Sequence, residues 1–318
     1  MQVEKSYECI GKMKENISKV IIGKDQVIEL LLTSLVAGGH VLLEDVPGTG
    51  KTVLAKTIAK TMEFQFERVQ FTPDLLPSDV TGLSYYNQEQ GKFVFKEGPV
   101  FTNLLLADEI NRATPRTQAS LLECMEEKQV TVDGVTRQLE APFFVIATQN
   151  PVETIGCFPL PEAQMDRFLM KISMGQMTEQ EERNMLDRFI EKEPLQELQP
   201  VCSKEEICRL QEACKKIYIH DDLKDYIVRL VQASRKKDQE WISCGVSPRG
   251  TLALLRASQG YAMMKERDYV VPEDIKAVAV PVLAHRIVSE SADKSRKEQF
   301  IRQLLQSISL PTEDWKRP

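Results

Sequence analysis

In the stretch "LLEDVPGTGKT", residues 42–52, a lysine and a hydroxyl residue follow two glycines, and in "NLLLADEINRA", residues 103–113, two adjacent carboxylates end an apolar run. Residues of those types in that order suit the handling of a nucleoside triphosphate. Backbone N–H groups around Gly48 to Lys51 can converge on phosphate oxygens, the glycines let the backbone come close, and the following helix adds the positive end of its dipole. Lys51 is then placed to reach the β- and γ-phosphates, and Thr52 to offer its hydroxyl to Mg²⁺. The pattern G-x-x-x-x-G-K-[ST] asks for glycine at position 45, where this chain has Asp45. Aspartate tolerates left-handed backbone better than most residues, so the turn is expected to survive with its carboxylate pointing away from phosphate. Asp108 fits Mg²⁺, directly or through water, and Glu109 could polarise an attacking water as general base.

The elements around these residues supply the required context. "HVLLE" reads as a short buried parallel strand and "GKTVLAKTIAKTM" as a helix, giving strand, loop and helix in order. Leu104 to Ala107 form a second buried strand that delivers its acids at the C-terminal end, where α/β sheets place ligand chemistry. A third apolar run, "PFFVIATQNP" at 142–151, ends on Asn150, which could meet the attacking water or the γ-phosphate, or could cap a turn before Pro151. Arg167 precedes a further apolar run; at a subunit boundary it could reach a neighbour's γ-phosphate, and within the chain it could pair with Glu162 or Asp166. In "GVSPRGTLALL", Ser247 is an N-cap, Pro248 the first helical residue, and Arg249 a first-turn cation whose opposition to the helix dipole hints at an anion to meet.

Composition narrows the class. At 318 residues the chain suggests a main domain and a smaller one. It is 42% hydrophobic and 28% charged, as ordinary globular proteins are. A net charge of −6 disfavours nucleic acid or an anionic membrane as the main partner. No run of about 18 apolar residues occurs, and the charged start lacks a signal core, so a cytoplasmic protein is expected. The seven cysteines match neither a zinc pair nor a disulfide framework, and Cys202, Cys208 and Cys214, six apart on what reads as a helix, are expected to be buried reduced thiols. The three histidines, His40, His220 and His285, have no second ligand nearby in sequence, so no transition-metal site is expected.

The segments "EDVPGTGKT", "LLADEINRA", "ATQNP", "PLPEAQMDRF" and "GVSPRGTLALLRASQGYA" together resemble the MoxR family of AAA+ ATPases over about residues 15 to 285. The resemblance implies an α/β P-loop core with a parallel sheet flanked by helices, residues 1–176, and a C-terminal all-helical lid with its tail, residues 177–318. It implies a Walker A over Asp45, Val46, Pro47, Gly48, Thr49, Gly50, Lys51 and Thr52, with Val53, Ile22 and Gly23 also at the nucleotide. A Walker B at Leu104 to Glu109, a sensor 1 at Asn150, an arginine finger at Arg167 and a sensor 2 at Arg249 complete the set. Arg112 and Arg116 are other finger candidates. ATP and Mg²⁺ are the implied cofactors, Thr52 and Asp108 the implied metal ligands, and a homo-oligomeric, hexameric ring the implied assembly. A client protein, or a partner with a von Willebrand factor A domain, is the implied target.

Two stretches between the motifs have their own physics. In residues 127–140, Asp133-Gly134 between short β-branched runs signals a hairpin with a type I′ turn. Residues 72–100 interrupt the core with turn formers and strand-like pieces. In the family these correspond to the pre-sensor-1 hairpin and the helix-2 insert. From about residue 178 the chain reads as helices, with capping boxes at Thr178/Glu181 and Ser203/Glu206. The expected mechanism places ATP between core and lid, with Arg249 of the lid and Arg167 of the next subunit completing the charge at the γ-phosphate, and the product is motion that remodels another protein. The alternatives are a DNA-dependent motor, disfavoured by the acidic balance and a hairpin poor in basic and aromatic residues; a low-turnover scaffold, disfavoured by Glu109; and a small-molecule kinase, which lacks a reason for the second acid.

Overall fold

The structure, a computed structural model, describes residues 2–46, 48–150, 156–191, 193–236, 241–289, 294–311 and 315–316. The chain opens with α1 (Gln2–Ser18) and α2 (Asp25–Val36), then β1 (Val41–Glu44), α3 (Lys51–Thr61) and β2 (Phe66–Gln70). A short α4 (Pro77–Thr81) and the antiparallel pair β3 (Gly82–Asn87) and β4 (Lys92–Glu97) precede β5 (Leu104–Asp108). Next come α5 (Pro115–Glu127), the hairpin β6 (Gln129–Val132) and β7 (Val135–Gln138), then β8 (Phe144–Gln149), α6 (Glu162–Met165) and β9 (Met170–Ile172). The remainder is α7 (Glu179–Glu191), α8 (Pro194–Glu197), α9 (Lys204–Cys214), α10 (Asp221–Ser234), β10 (Ile242–Cys244), α11 (Pro248–Met264), α12 (Pro272–Leu283), β11 (Val288–Ser289) and α13 (Lys294–Ser307).

Five strands form one parallel sheet in the order β2-β5-β8-β1-β9. The central strands are apolar along almost their whole length because helices cover both faces, as their uninterrupted burial shows. The C-terminal ends of β1, β5 and β8 therefore lie along one edge, and the segments bearing Asp45 to Thr52, Asp108 with Glu109, and Asn150 all leave from it.

Both insertions are hairpins. Asp133 and Gly134 have φ of 52° and 73°, the left-handed pair that a type I′ turn demands. The insert expected at 72–100 contains α4 and the β3/β4 hairpin, and the Arg137 guanidinium lies 3.8 Å from the centre of the Phe95 ring, joining the two hairpins.

The C-terminal part is helical and both expected capping boxes form: Glu181 accepts the Thr178 N–H at 2.7 Å, and Glu206 accepts the Ser203 N–H at 2.8 Å. The boundary expected between residues 176 and 177 falls in the loop from β9 to α7, yet burial does not stop there. One apolar cluster runs through Leu31 and Leu35 of α2, Ile146 of β8, Tyr226 of α10, Leu254 of α11 and Val278 of α12. A second cluster, with Leu105, Leu122, Val145 and Phe168, lies on the other face of the sheet. Cys202 differs from expectation in preceding α9 rather than lying in it, and not every thiol is buried: Cys124, Cys202 and Cys214 are, whereas Cys208 is half-buried and Cys244 is exposed. Among the described residues no helix is long and apolar enough to cross a membrane.

Candidate nucleotide site

Gly48 and Gly50 both have φ of 84°, a conformation that side chains resist, and Gly50 is the residue from which α3 starts. A Cβ built at either glycine meets nothing within 4 Å, so the turn is open on the side the glycines present. The first turn of α3 carries no acidic residue, and its N-cap has no side-chain hydrogen bond, which leaves the positive helix end available to an anion. Lys51 Nζ donates to the carbonyls of Asp45, at 2.9 Å, and Val46, at 3.2 Å, so the loop folds around the ammonium. Thr49 Oγ1 donates to the Val46 carbonyl at 3.3 Å. Val46 and Val53 are partly exposed at 41% and 37%, beside the turn. Pro47 lies outside the described residues.

Asp45 stands where the common pattern has glycine, and the structure gives it a different job from the expected left-handed turn. It is not among the positive-φ residues. Its Oδ2 accepts the backbone N–H of Met174 at 2.7 Å and of Gly175 at 3.0 Å, and its Oδ1 accepts the Val46 N–H at 3.1 Å. The carboxylate thus ties the loop after β1 to the loop after β9. Lys24, next to Ile22 and Gly23, is buried and donates to the carbonyls of Gly175 and Gln176 at 3.2 and 2.9 Å. Ile22 and Gly23 are in this way held at the same loop that Asp45 grips.

Asp108 and Glu109 are joined through a threonine that no short sequence motif marks. Thr148 of β8 donates its hydroxyl to Asp108 Oδ1 at 2.6 Å and accepts the Glu109 N–H at 2.8 Å. Glu109 has φ of 55°, a left-handed conformation that costs a non-glycine residue on the order of 1–3 kcal/mol and that turns its side chain away from the strand direction. Its Oε2 accepts from Gln70 at 2.7 Å and from Arg112 at 3.0 Å, while Asp108 Oδ2 accepts from Arg68 at 2.6 Å. Arg68 and Gln70 share one face of β2, whose parallel register sets Gln70 beside Asp108. Arg112 therefore sits on the catalytic-base candidate of its own chain, while Arg116 is exposed in the first turn of α5. Asn150, which follows β8, is buried at the same edge.

Arg167 and Arg249 come together elsewhere. Glu126 takes Arg167 Nε at 3.1 Å through Oε2 and Arg249 Nη2 at 2.7 Å through Oε1, so the partners foreseen for Arg167, Glu162 and Asp166, are replaced by a residue of α5. The helix α5 leaves the C-terminal end of β5 and returns toward the start of β8, which puts Glu126, in its last turn, at the opposite edge of the sheet. Arg167, just before β9, is at that edge as well. A strand of five residues is about 16 Å long, so Arg249, expected at the phosphate loop of its own chain, instead pairs with Glu126 at the other edge of the sheet. Asp166 fixes this corner: it accepts from Ser247 at 3.0 Å and from the buried Arg286 at 2.5 Å, and Arg286 also donates to the carbonyls of Phe168 and Leu169. Burial lowers the Arg286 guanidinium from its ordinary value, and the Asp166 carboxylate opposes that shift.

Beside the loop, a cavity of about 930 Å³ opens between β9, α12 and α13, lined by Asp45, Val46, Gln149, Lys171, Val280 and Lys294 among others. Glu44 at its wall is held below the ordinary carboxylate value: burial alone would raise it, but Lys171 at 2.6 Å and Lys294 at 2.9 Å prevail. The hard oxygens of Thr52 and Asp108, with an open turn and a free helix end, fit a magnesium-bound polyphosphate.

A five-stranded parallel sheet in this order, with a glycine turn, adjacent acids and a helical lid, defines an AAA-type ATPase architecture. Residues 40–170 match the ATPase family associated with various cellular activities (AAA), and residues 235–304 match the AAA lid domain. The chain is 46% identical to the uncharacterized protein YeaC of Bacillus subtilis, over 98% of this chain and 97% of that one. It is 42% identical to Chaperone MoxR1 of Mycobacterium tuberculosis, over 93% of this chain and 80% of that protein. A crystal structure of a presumed ATPase from Cytophaga hutchinsonii, 40% identical, superposes with a TM-score of 0.90 over 98% of this chain and 97% of the other. The chain belongs to the MoxR family of AAA+ ATPases.

Proposed function

We propose that the chain binds ATP at the turn between β1 and α3, hydrolyses it, and uses the cycle as a chaperone-like remodeller or assembly factor for a partner protein. One observation carries the reading: Thr148 ties Asp108 and Glu109 together at the sheet edge from which the glycine turn also leaves. In this proposal Lys51 meets the β- and γ-phosphates, and Thr52 and Asp108 hold Mg²⁺, which when bound neutralises phosphoryl charge. Arg68 neutralises the Asp108 carboxylate and must give way to the ion. Glu109 takes the proton of the attacking water once it releases Gln70 and Arg112, and Asn150 orients that water. Ile22, Gly23, Val46 and Val53 contact the nucleotide.

Arg167 and Arg249, held on one carboxylate at the far edge, are assigned to the nucleotide of a neighbouring subunit, which makes the active form a ring, hexameric by family resemblance. Residues 1–176 serve as the nucleotide-binding core and 177–318 as the lid. The name of the mycobacterial relative supports a chaperone-like task, and the family resemblance supports a client or a von Willebrand factor A domain partner. Steady-state ATP hydrolysis per chain, measured against protein concentration, tests the proposal. Turnover should rise with concentration to a plateau and disappear in Glu109→Gln, while Glu109→Gln still binds a fluorescent ATP analogue and Lys51→Ala does not. Equal turnover in wild type and Glu109→Gln would refute the assignment of the base.

A further inference from the structure

Cys9 in α1 and Cys202, two residues ahead of α9, are 193 positions apart in the chain, yet their sulfurs lie 2.8 Å from each other. The sulfurs of a disulfide are about 2.05 Å apart, so folding alone brings these two sulfurs close to bonding range. We propose that Cys9 and Cys202 form a dithiol/disulfide pair, closed by a hydroperoxide and opened by a dithiol, that clamps α1 to the segment entering α9.

The surroundings hold both partners in place. The N–H groups of Val201 and Cys202 donate to the Thr61 carbonyl at the end of α3, at 2.9 and 3.3 Å. Asn16, on α1, donates to Thr61 Oγ1 at 3.2 Å and to the Gln199 carbonyl at 2.9 Å. The two cysteines thus face each other across a junction that is already hydrogen-bonded on both sides. The pair is also asymmetric. Cys9 is half-buried and Cys202 is buried. The hydrogen-bonding contact with Cys202 holds Cys9 below its ordinary value against the opposing effect of burial, whereas Cys202 is raised by that same contact and by burial. Cys124 and Cys214 are pushed up to about 12 by burial and stay thiols.

The chemistry follows from this asymmetry. The Cys9 thiolate attacks one peroxide oxygen; an S–O bond forms, the O–O bond breaks, and hydroxide leaves to be protonated to water. The Cys202 sulfur then attacks the sulfenic sulfur of Cys9, giving up its proton as the S–S bond forms, and the second oxygen departs as water. Two thiols are oxidised and one peroxide is reduced. The Glu206 carboxylate lies within 4.8 Å of both sulfurs, so a thiophilic cation is the competing occupant.

The test uses the reduced, chelator-treated full chain and a few equivalents of hydrogen peroxide, followed by thiol alkylation, intact mass and non-reducing peptide mapping. The expected result is a loss of two hydrogens per chain and one cross-linked peptide joining Cys9 to Cys202, with a higher Tm that dithiothreitol reverses. Cys9→Ser, at a half-buried helix position, should abolish both changes, and Cys202→Ser should stop at a sulfenic acid on Cys9 that dimedone traps. Free Cys202 after oxidation, or a cross-link to any other cysteine, would overturn the proposal. So would resistance to peroxide combined with stoichiometric Zn²⁺ binding that Cys9→Ser removes. An unchanged Tm after complete cross-linking would overturn the clamp.

Discussion

Arg249 of the lid and Glu126 of the core form an ion pair of 2.7 Å, and the carboxylate they share with Arg167 binds the two arginines from different elements into one cationic corner. The side chains of Glu126, Arg167 and Arg249 are 35%, 30% and 45% exposed, so a partner surface can reach them without unfolding anything.

Glu126→Ala should change stability by no more than about 1 kcal/mol, since partly exposed pairs contribute little. It should nevertheless cut ATP turnover several-fold with nucleotide affinity unchanged, because both arginines lose the group that aims them. Arg167→Ala should lose turnover too, and mixing it with Lys51→Ala protein should restore a part of the activity. No recovery in the mixture would count against action across a subunit boundary and move attention to Arg112 or Arg116.

Thr148→Val preserves shape and removes the hydroxyl that serves two carboxylate-bearing residues. The Glu109 N–H and Asp108 Oδ1 both lose a partner, at a cost of about 1–3 kcal/mol in denaturant unfolding. Thr148→Ser should recover most of that loss. If valine and serine behave alike, the bridge is energetically idle.

Asp45→Asn replaces a carboxylate that accepts three backbone N–H groups through its two oxygens with an amide that has one accepting oxygen and no charge. We expect a destabilisation of about 1–3 kcal/mol and weaker nucleotide binding. Asp45→Gly, which restores the common pattern, should weaken binding too, since glycine offers Met174 and Gly175 no acceptor. Tighter binding in the glycine variant, read with a fluorescent nucleotide, would show that the tie is dispensable.

His40 is fully buried between the Met125 carbonyl, 3.1 Å from Nε2, and the Val145 N–H, 3.0 Å from Nδ1. Burial lowers its pKa from 6.5 to about 4. The unfolded chain therefore takes up this proton at higher pH than the folded one, and stability present above pH 6.5 is lost as the pH falls toward 4. The full loss is about 3 kcal/mol. Glu44, whose pKa is lowered in the fold, contributes stability above the ordinary glutamate value and loses it in more acidic solution. Urea unfolding of His40→Asn at pH 7.5, 5.5 and 4.5 should show a flatter slope than wild type; an identical slope would mean that His40 does not set it.

The local parts of the site were legible because strand, turn and helix signals sit within a few residues of the chemistry: Lys51 and Thr52 at the head of α3, Asp108 and Glu109 at the end of β5, the Ser247 cap, and the Asp133-Gly134 turn. What was not legible depends on which strands and helices become neighbours. Thr148 reaches Asp108 only because β8 lies beside β5, and Arg68 reaches it only because β2 is the strand on the other side. The pairing of Glu126 with Arg249 spans 123 positions and rests on where the lid docks, for which no short-range pattern exists. Asp45 was read for its backbone, yet its side-chain contacts to residues 174 and 175 are what the fold uses.

At Gly260 of α11 an added Cβ would lie 2.8 Å from the Thr33 carbonyl of α2, so the backbones of these two helices come into close contact there. Surfaces that meet so closely cannot slide or open by small steps, and the apolar cluster around them would be wetted by any rotation of the lid as a body. Within one chain, core and lid form a single stiff lever. In the ring proposed above, the compliant joint would be the seam between neighbours, and a change of state at one bound nucleotide would pass on as a tilt of the whole adjoining chain.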